Sequence, residues 1–146
     1  RFRRAGRCRY KPGLWGQHGL WLWQREEAAC FRLDIMEVIE RARRAGIRDS
    51  RIVLDPGIGF GKSFEQNLAA IARLGELVRF GFPVLLGVSR KSFIGKLFPS
   101  EPAERLPGTI AANTIGVMAG AAIVRVHDVA EHAQALRIAD RIREKP

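Results

Sequence analysis

Three short apolar runs constrain this chain more than any other feature. They are Arg51-Ile52-Val53-Leu54, Pro83-Val84-Leu85-Leu86-Gly87 and Ala122-Ile123-Val124-Arg125-Val126, each opening into a polar turn and then a helical pattern. Strands apolar along nearly every position must be covered on both faces, which is the grammar of a parallel sheet flanked by helices. Polar residues gather at the C-terminal end of each run: Asp55, then Ser89-Arg90-Lys91, then Arg125-His127-Asp128. In parallel α/β folds that edge of the sheet carries the site. Three such units do not close a barrel, and residues 52–54 would form an uncovered ladder edge. An incomplete α/β domain of about three βα units is expected.

The segments between the runs read as helices. From Leu33, Ile35, Met36, Ile39 and Ala42 recur at helical spacing, Glu37 and Arg41 stand as an i,i+4 pair, and Gly46 supplies a stop. A second helix is predicted over residues 64–80, burying Leu68, Ile71, Ala72 and Leu77, with Gly81 at its end. A short helical piece at 93–97 leads into a Pro- and Glu-rich loop at 99–107, and a small-residue-rich helix follows at 109–118. The last helix spans Val129–Arg143, with Ala133, Leu136, Ile138 and Ile142 predicted against the sheet.

The net charge of +10 is unevenly placed. Residues 1–31 hold seven Arg or Lys and two Glu, giving +5; residues 32–146 hold eighteen and thirteen, also +5 over a far longer stretch. The first 31 residues also carry all three Trp and the single Tyr without a sustained period. They read as an atypical arm, with strand stacking on a nucleic acid as the alternative; residues 32–146 read as the folded domain. For that domain, moderate basicity suits an anionic small substrate, and nucleic acid is not an expected partner. Cys8 and Cys30 make no metal or CxxC spacing, which suits a reducing, cytoplasmic setting. No long uncharged apolar run and no secretory pattern occur, so no membrane partner is expected. His18, His127 and His132 do not group as metal ligands, and neither a GxSxG elbow nor a Cys–His arrangement lies on organised sequence.

The turn DPGIGFGK at 55–62 is neither a dinucleotide fingerprint nor a Walker loop, since the glycine spacing and the following acidic residue do not fit. Its glycines allow a sharp turn or a close approach. Asp55 either caps backbone amides or accepts paired N–H bonds from an amino-heterocycle. In Ser89-Arg90-Lys91-Ser92, Arg90 reads as solvated and Lys91 as the donor at the mouth of the sheet. Arg125 is a cation inside an apolar strand, costly to desolvate unless it meets an anion or an open end. His127 shares its face, and the amides of the final helix's first turn follow. Together these make a diphosphate cradle; the alternative is a structural Arg125–Asp128 pair with His127 as a cap.

DPGIGFGK at 55–62, LLGVSRKSFIG at 85–95 and VRVHDV at 124–129, in this order, closely resemble the dihydropteroate synthase family. The resemblance covers residues 33–146 and implies the C-terminal part of a (β/α)8 TIM barrel. It implies a transferase of folate biosynthesis that condenses 4-aminobenzoate with (7,8-dihydropterin-6-yl)methyl diphosphate, releasing diphosphate and 7,8-dihydropteroate. By that likeness Asp55, Gly59, Phe60 and Lys91 bind the pterin, Ser92 lies by the aminobenzoate carboxylate, and Arg125 and His127 take the diphosphate. Lys91, Arg125 and His127 would then be the catalytic residues. Mg2+ is the family's expected metal, with its asparagine ligand absent from this sequence, and a homodimer is among the expected partners. The strand that would precede residue 33 has no match, which a truncated or frame-shifted gene explains. Pterin-binding methyltransferase relatives and a non-catalytic half-barrel assembly module are the alternatives.

Overall fold

The parallel pairing predicted from the apolar runs is present in the computed structural model, which describes residues 28–145, with side chains described from Ile35 onward. Helix α1 (Ala28–Arg44) is followed by α2 (Phe64–Ala72) and α3 (Leu74–Val78), strand β1 (Leu85–Leu86), and α4 (Ser92–Leu97). Then come α5 (Leu106–Met118), strand β2 (Ile123–Val124) and α6 (Val129–Arg143). Leu85 pairs with Ile123 and Leu86 with Val124 in parallel, and a parallel bridge joins Leu54 to Val84. Strand order in space therefore follows chain order. The ladders are shorter than the apolar runs, two residues in each named strand.

Alternation along the strands separates two faces. Leu54, Val84, Leu86 and Val88 are buried in the core with Ile71, Leu74 and Leu77. The intervening positions open the other way, where Val53 is 46% and Ile123 41% exposed. Gly116 lets α5 press onto this sheet, because a Cβ there would stand 2.2 Å from Leu86 Cδ2. One sheet face is thus sealed by helices while the face bearing Asp55, Gly87, Arg125 and His127 stays open.

Helix α1 is already helical at Ala28, the first described residue, ahead of the Leu33 from which its period is read. It ends in a Schellman motif: Gly46 takes φ +80°, Ile47 N donates to Ala42 O at 3.0 Å, and Gly46 N to Arg43 O at 2.9 Å. Ile39 is buried, but Met36 is exposed. The expected Glu37–Arg41 pair gives way to Arg43, which reaches Glu40 at 2.8 Å and Asp49 at 2.7 Å. Asp49 lies in the 3-10 turn beyond the helix, so one guanidinium ties helix to turn.

The single helix predicted over 64–80 is broken. Arg73 leaves helical geometry at φ −101°, ψ 15°, and Gly75 has a low helical preference. The break re-aims α3 so that Leu74 and Leu77 are fully buried, whereas Ala72 is exposed. Helix α5 begins three residues earlier than predicted, with Pro107 in its first turn, where a missing N–H costs nothing.

The predicted contact face of α6 is also corrected. Ala133, Ile138 and Ile142 are exposed and Leu136 is half-buried, while His132 and Ala139 are buried. Positions 132, 136 and 139 form the inward stripe because α6 leans on α5. There Arg143 Nη1 donates to Val117 O at 3.0 Å. The Trp-rich stretch, Cys8 and His18 lie outside the described residues, as does the side chain of Cys30.

Candidate functional site at the strand ends

The glycine turn is held from inside by a residue the motif does not include. Ser63 and Gln66 form a reciprocal capping box that starts α2, and one turn later Asn67 points back under the loop. Its Oδ1 accepts from Gly59 N at 2.7 Å, and its Nδ2 donates to Ser63 O at 2.7 Å and to Lys62 O at 3.2 Å. Buried as it is, the amide has both its donors and its acceptor occupied. Lys62 closes the turn from the other side, donating to Gly57 O at 2.9 Å. Burial holds its ammonium below the usual lysine range, with Asp55 opposing that shift.

Asp55 Oδ1 accepts from Gly57 N at 2.7 Å, the capping role that the sequence allows. The side chain is exposed at the end of its strand. Gly59 adopts φ +77°, and a Cβ there would lie 2.7 Å from Lys91 Cδ. Lys91 passes across that gap to place Nζ 4.0 Å from the Phe60 ring centroid, a cation–π contact on a ring that is 62% exposed. Gly59, Phe60 and Lys91 therefore form one unit. Ser92 is exposed as the first residue of α4.

Across the sheet, extending the β1–β2 register places Gly87 opposite Arg125 and Ser89 opposite His127. The space a Gly87 Cβ would fill lies 3.1 Å from Arg125 Nη2, so the guanidinium lies over the bare backbone. Ser89 Oγ accepts from His127 N at 3.2 Å and bonds to His127 Nδ1 at 2.9 Å. Arg90 is not the solvated residue predicted. It takes φ +57°, and its Nη2 and Nε meet the Asp128 carboxylate at 2.5 and 3.2 Å. That bidentate fork replaces the alternative Arg125–Asp128 pair, because Asp128 is already engaged. The hydrogen bond from Arg90 holds the Asp128 carboxyl below the usual carboxylate range, with desolvation opposing that shift and the Arg90 charge adding to it.

The three strand ends thus present Asp55, the Phe60–Lys91 unit, and the Arg125–His127 pair on one open edge. The predicted residues are grouped as paired supports: Gly59 with Lys91, Gly87 with Arg125, Ser89 with His127. Asn67 lies outside the motifs, and Lys62, Gly87 and Ser89 lie within them without an assigned role, although a register drawn between the second and third apolar runs matches Gly87 and Ser89 to their partners. Among the described residues no group of three or more His, Cys, Asp or Glu side chains is assembled around a point that could hold a metal.

The family model described as pterin binding enzyme matches residues 24–127. The chain belongs to the pterin-binding enzyme family. Within that family, a dihydropteroate synthase of Clostridium beijerinckii is 48% identical over 108 residues, covering 73% of this chain and 40% of the relative. A Coxiella burnetii dihydropteroate synthase solved in complex with pteroic acid superposes with a TM-score of 0.77 at 40% identity, over 80% of this chain and 44% of that one. A Thermus thermophilus dihydropteroate synthase in complex with 4-aminobenzoate gives 0.66 at 47% identity, over 70% and 42%. The chain spans about 40% of the length of the curated relatives it matches.

Proposed function

We propose that this chain carries part of a dihydropteroate synthase site and is the C-terminal part of a (β/α)8 barrel. The observation that carries the reading is the convergence of Asp55, Phe60–Lys91 and Arg125–His127 at the C-terminal ends of three adjacent parallel strands, on the face left open by the helices. Sequential parallel order with helices sealing one face is what a barrel wall requires. The first 31 residues are read as a segment apart from this domain, although the family match begins at residue 24 and α1 is already helical at Ala28.

In this reading the substrates are (7,8-dihydropterin-6-yl)methyl diphosphate and 4-aminobenzoate. The Asp55 carboxylate accepts from the amino-pyrimidine edge through the oxygen not committed to Gly57. Phe60 offers its exposed face to the pterin ring. Lys91, spanning the turn, bonds the pterin and borders the aminobenzoate, whose carboxylate meets Ser92. The Arg125 fork and the His127 ring bind diphosphate as the methylene C–O bond breaks. The aromatic amine then forms the new C–N bond and loses its proton to solvent. Catalysis here is leaving-group stabilisation and positioning.

Mg2+ is the family's expected metal, and among the described residues no group of three or more His, Cys, Asp or Glu side chains is assembled to hold it. No step is therefore assigned to it. Among the described residues no helix is long and apolar enough to cross a membrane, and a cytoplasmic setting remains part of the proposal. A homodimer would use the exposed Ile115 and Met118 of α5 with Ile138 and Ile142 of α6.

A second reading, a non-catalytic half-barrel module that assembles with another chain, is favoured by the exposure of Val53 and Ile123 on the open face. Calorimetric titration with the dihydropterin methyl diphosphate, followed by 4-aminobenzoate, separates the two. Ordered binding supports the synthase reading. A folded assembly that binds neither compound supports the module.

A further inference from the structure

The register that pairs β1 with β2 sets Ser89 beside His127, and the hydrogen bonds between them fix more than position. The His127 backbone N–H can only donate, so at 3.2 Å the Ser89 oxygen is its acceptor. The same oxygen lies 2.9 Å from His127 Nδ1. A serine hydroxyl has one proton to give. Among the described residues its acceptor within reach is Nδ1. If Nδ1 carried the proton instead, both contacts would donate into the Ser89 oxygen. The hydroxyl proton of a buried side chain would then have no acceptor among the described residues.

We propose that Ser89 is a positioning residue that sets the tautomer of His127. It holds Nδ1 as the acceptor and leaves the proton on Nε2 of an exposed residue. Two features make the arrangement rigid. The Arg90–Asp128 fork joins the residues that follow Ser89 and His127 in the chain, so the two turns are tied twice. His132, one helical turn further on, places its Nδ1 2.6 Å from Asp128 O; a carbonyl only accepts, so this ring is its donor and holds the start of α6. With Arg125 beside it, the Nε2–H of a neutral imidazole becomes a second, fixed donor for an anion at the strand ends. This last point rests on the diphosphate reading above; the tautomer itself does not.

The test is the long-range proton–nitrogen correlation spectrum of the 15N-labelled 146-residue chain at about pH 8.5, where histidine is ordinarily neutral. A His127→Gln chain identifies the ring signals. The expected result is a protonated Nε2 and an unprotonated Nδ1 on His127. Ser89→Ala should lower the ratio of Nε2–H to Nδ1–H by roughly fivefold, the effect of losing one neutral hydrogen bond, and Ser89→Thr should retain it. A protonated Nδ1 in the unsubstituted chain overturns the proposal, even if Ser89→Ala fails to fold. So does an unchanged ratio in a folded Ser89→Ala chain. Inorganic diphosphate added to the unsubstituted chain then reads the other claim. An Nε2–H signal that is present but does not respond supports the Ser89 assignment and counts against the diphosphate site.

Discussion

Arg90 and Asp128, 38 residues apart, form a two-pronged ion pair that locks the turn after β1 to the turn after β2. The pair sets a pH dependence whose sign is determined. Asp128 is held below the usual carboxylate range in the folded chain, so it binds protons less readily there than when unfolded. Its contribution is fully present above the unfolded carboxylate pKa and is lost as pH falls through the folded one. In urea titrations, Asp128→Asn should therefore be less stable than the unsubstituted chain at neutral pH. The gap should close in strong acid.

Asn67 should matter more to stability than any residue of the glycine motif. Asn67→Ala leaves the Gly59 amide and the Lys62 carbonyl without their buried partner, while the Ser63 carbonyl keeps only its bond from the residue 67 amide. A cost of about 2 to 3 kcal/mol is expected in denaturant unfolding. Asn67→Asp keeps the acceptor for Gly59 but turns a carboxylate oxygen toward two carbonyls, and should also destabilise.

Two glycines supporting the same sheet should respond oppositely. Gly116→Ala puts a Cβ into Leu86 in the core and should cost about 1 to 3 kcal/mol of stability. Gly87→Ala puts its nearest contacts on the Arg125 guanidinium, an exposed side chain able to shift. It should leave the denaturant midpoint nearly unchanged while weakening anion binding severalfold by calorimetry.

Gly59→Ala should disturb the site through Lys91. The left-handed backbone at φ +77° carries a strain of about 1 kcal/mol for alanine, and the new methyl displaces the lysine from the Phe60 ring. Pterin affinity should fall further than stability does, measured by calorimetry beside thermal unfolding.

The strands and their polar ends were legible because continuous apolar runs have few interpretations. Asp55, Lys91, Arg125 and His127 could be picked out because each follows or interrupts such a run. What the chain alone hid was pairing at a distance. Arg90 looked solvated because its partner is 38 residues away across a strand register. Asn67 looked like an ordinary helical residue because its partners lie behind it in the loop. The face of α6 was misjudged because periodicity marks an apolar stripe without saying which neighbour covers it. Here α5 draws His132 and Ala139 inward, leaving Ile138 and Ile142 exposed. The break at Arg73 follows from packing of Leu74 and Leu77, which no local pattern announces.

The most direct test is titration of the folded chain with inorganic diphosphate, alongside Arg125→Ala and the distant control Arg44→Ala. The strand-end site predicts saturable binding, weakened about tenfold or more by Arg125→Ala, the scale of one lost charge-assisted hydrogen bond, and unaffected by Arg44→Ala. Binding that responds equally to both substitutions, or no saturable binding to a folded chain, would contradict it.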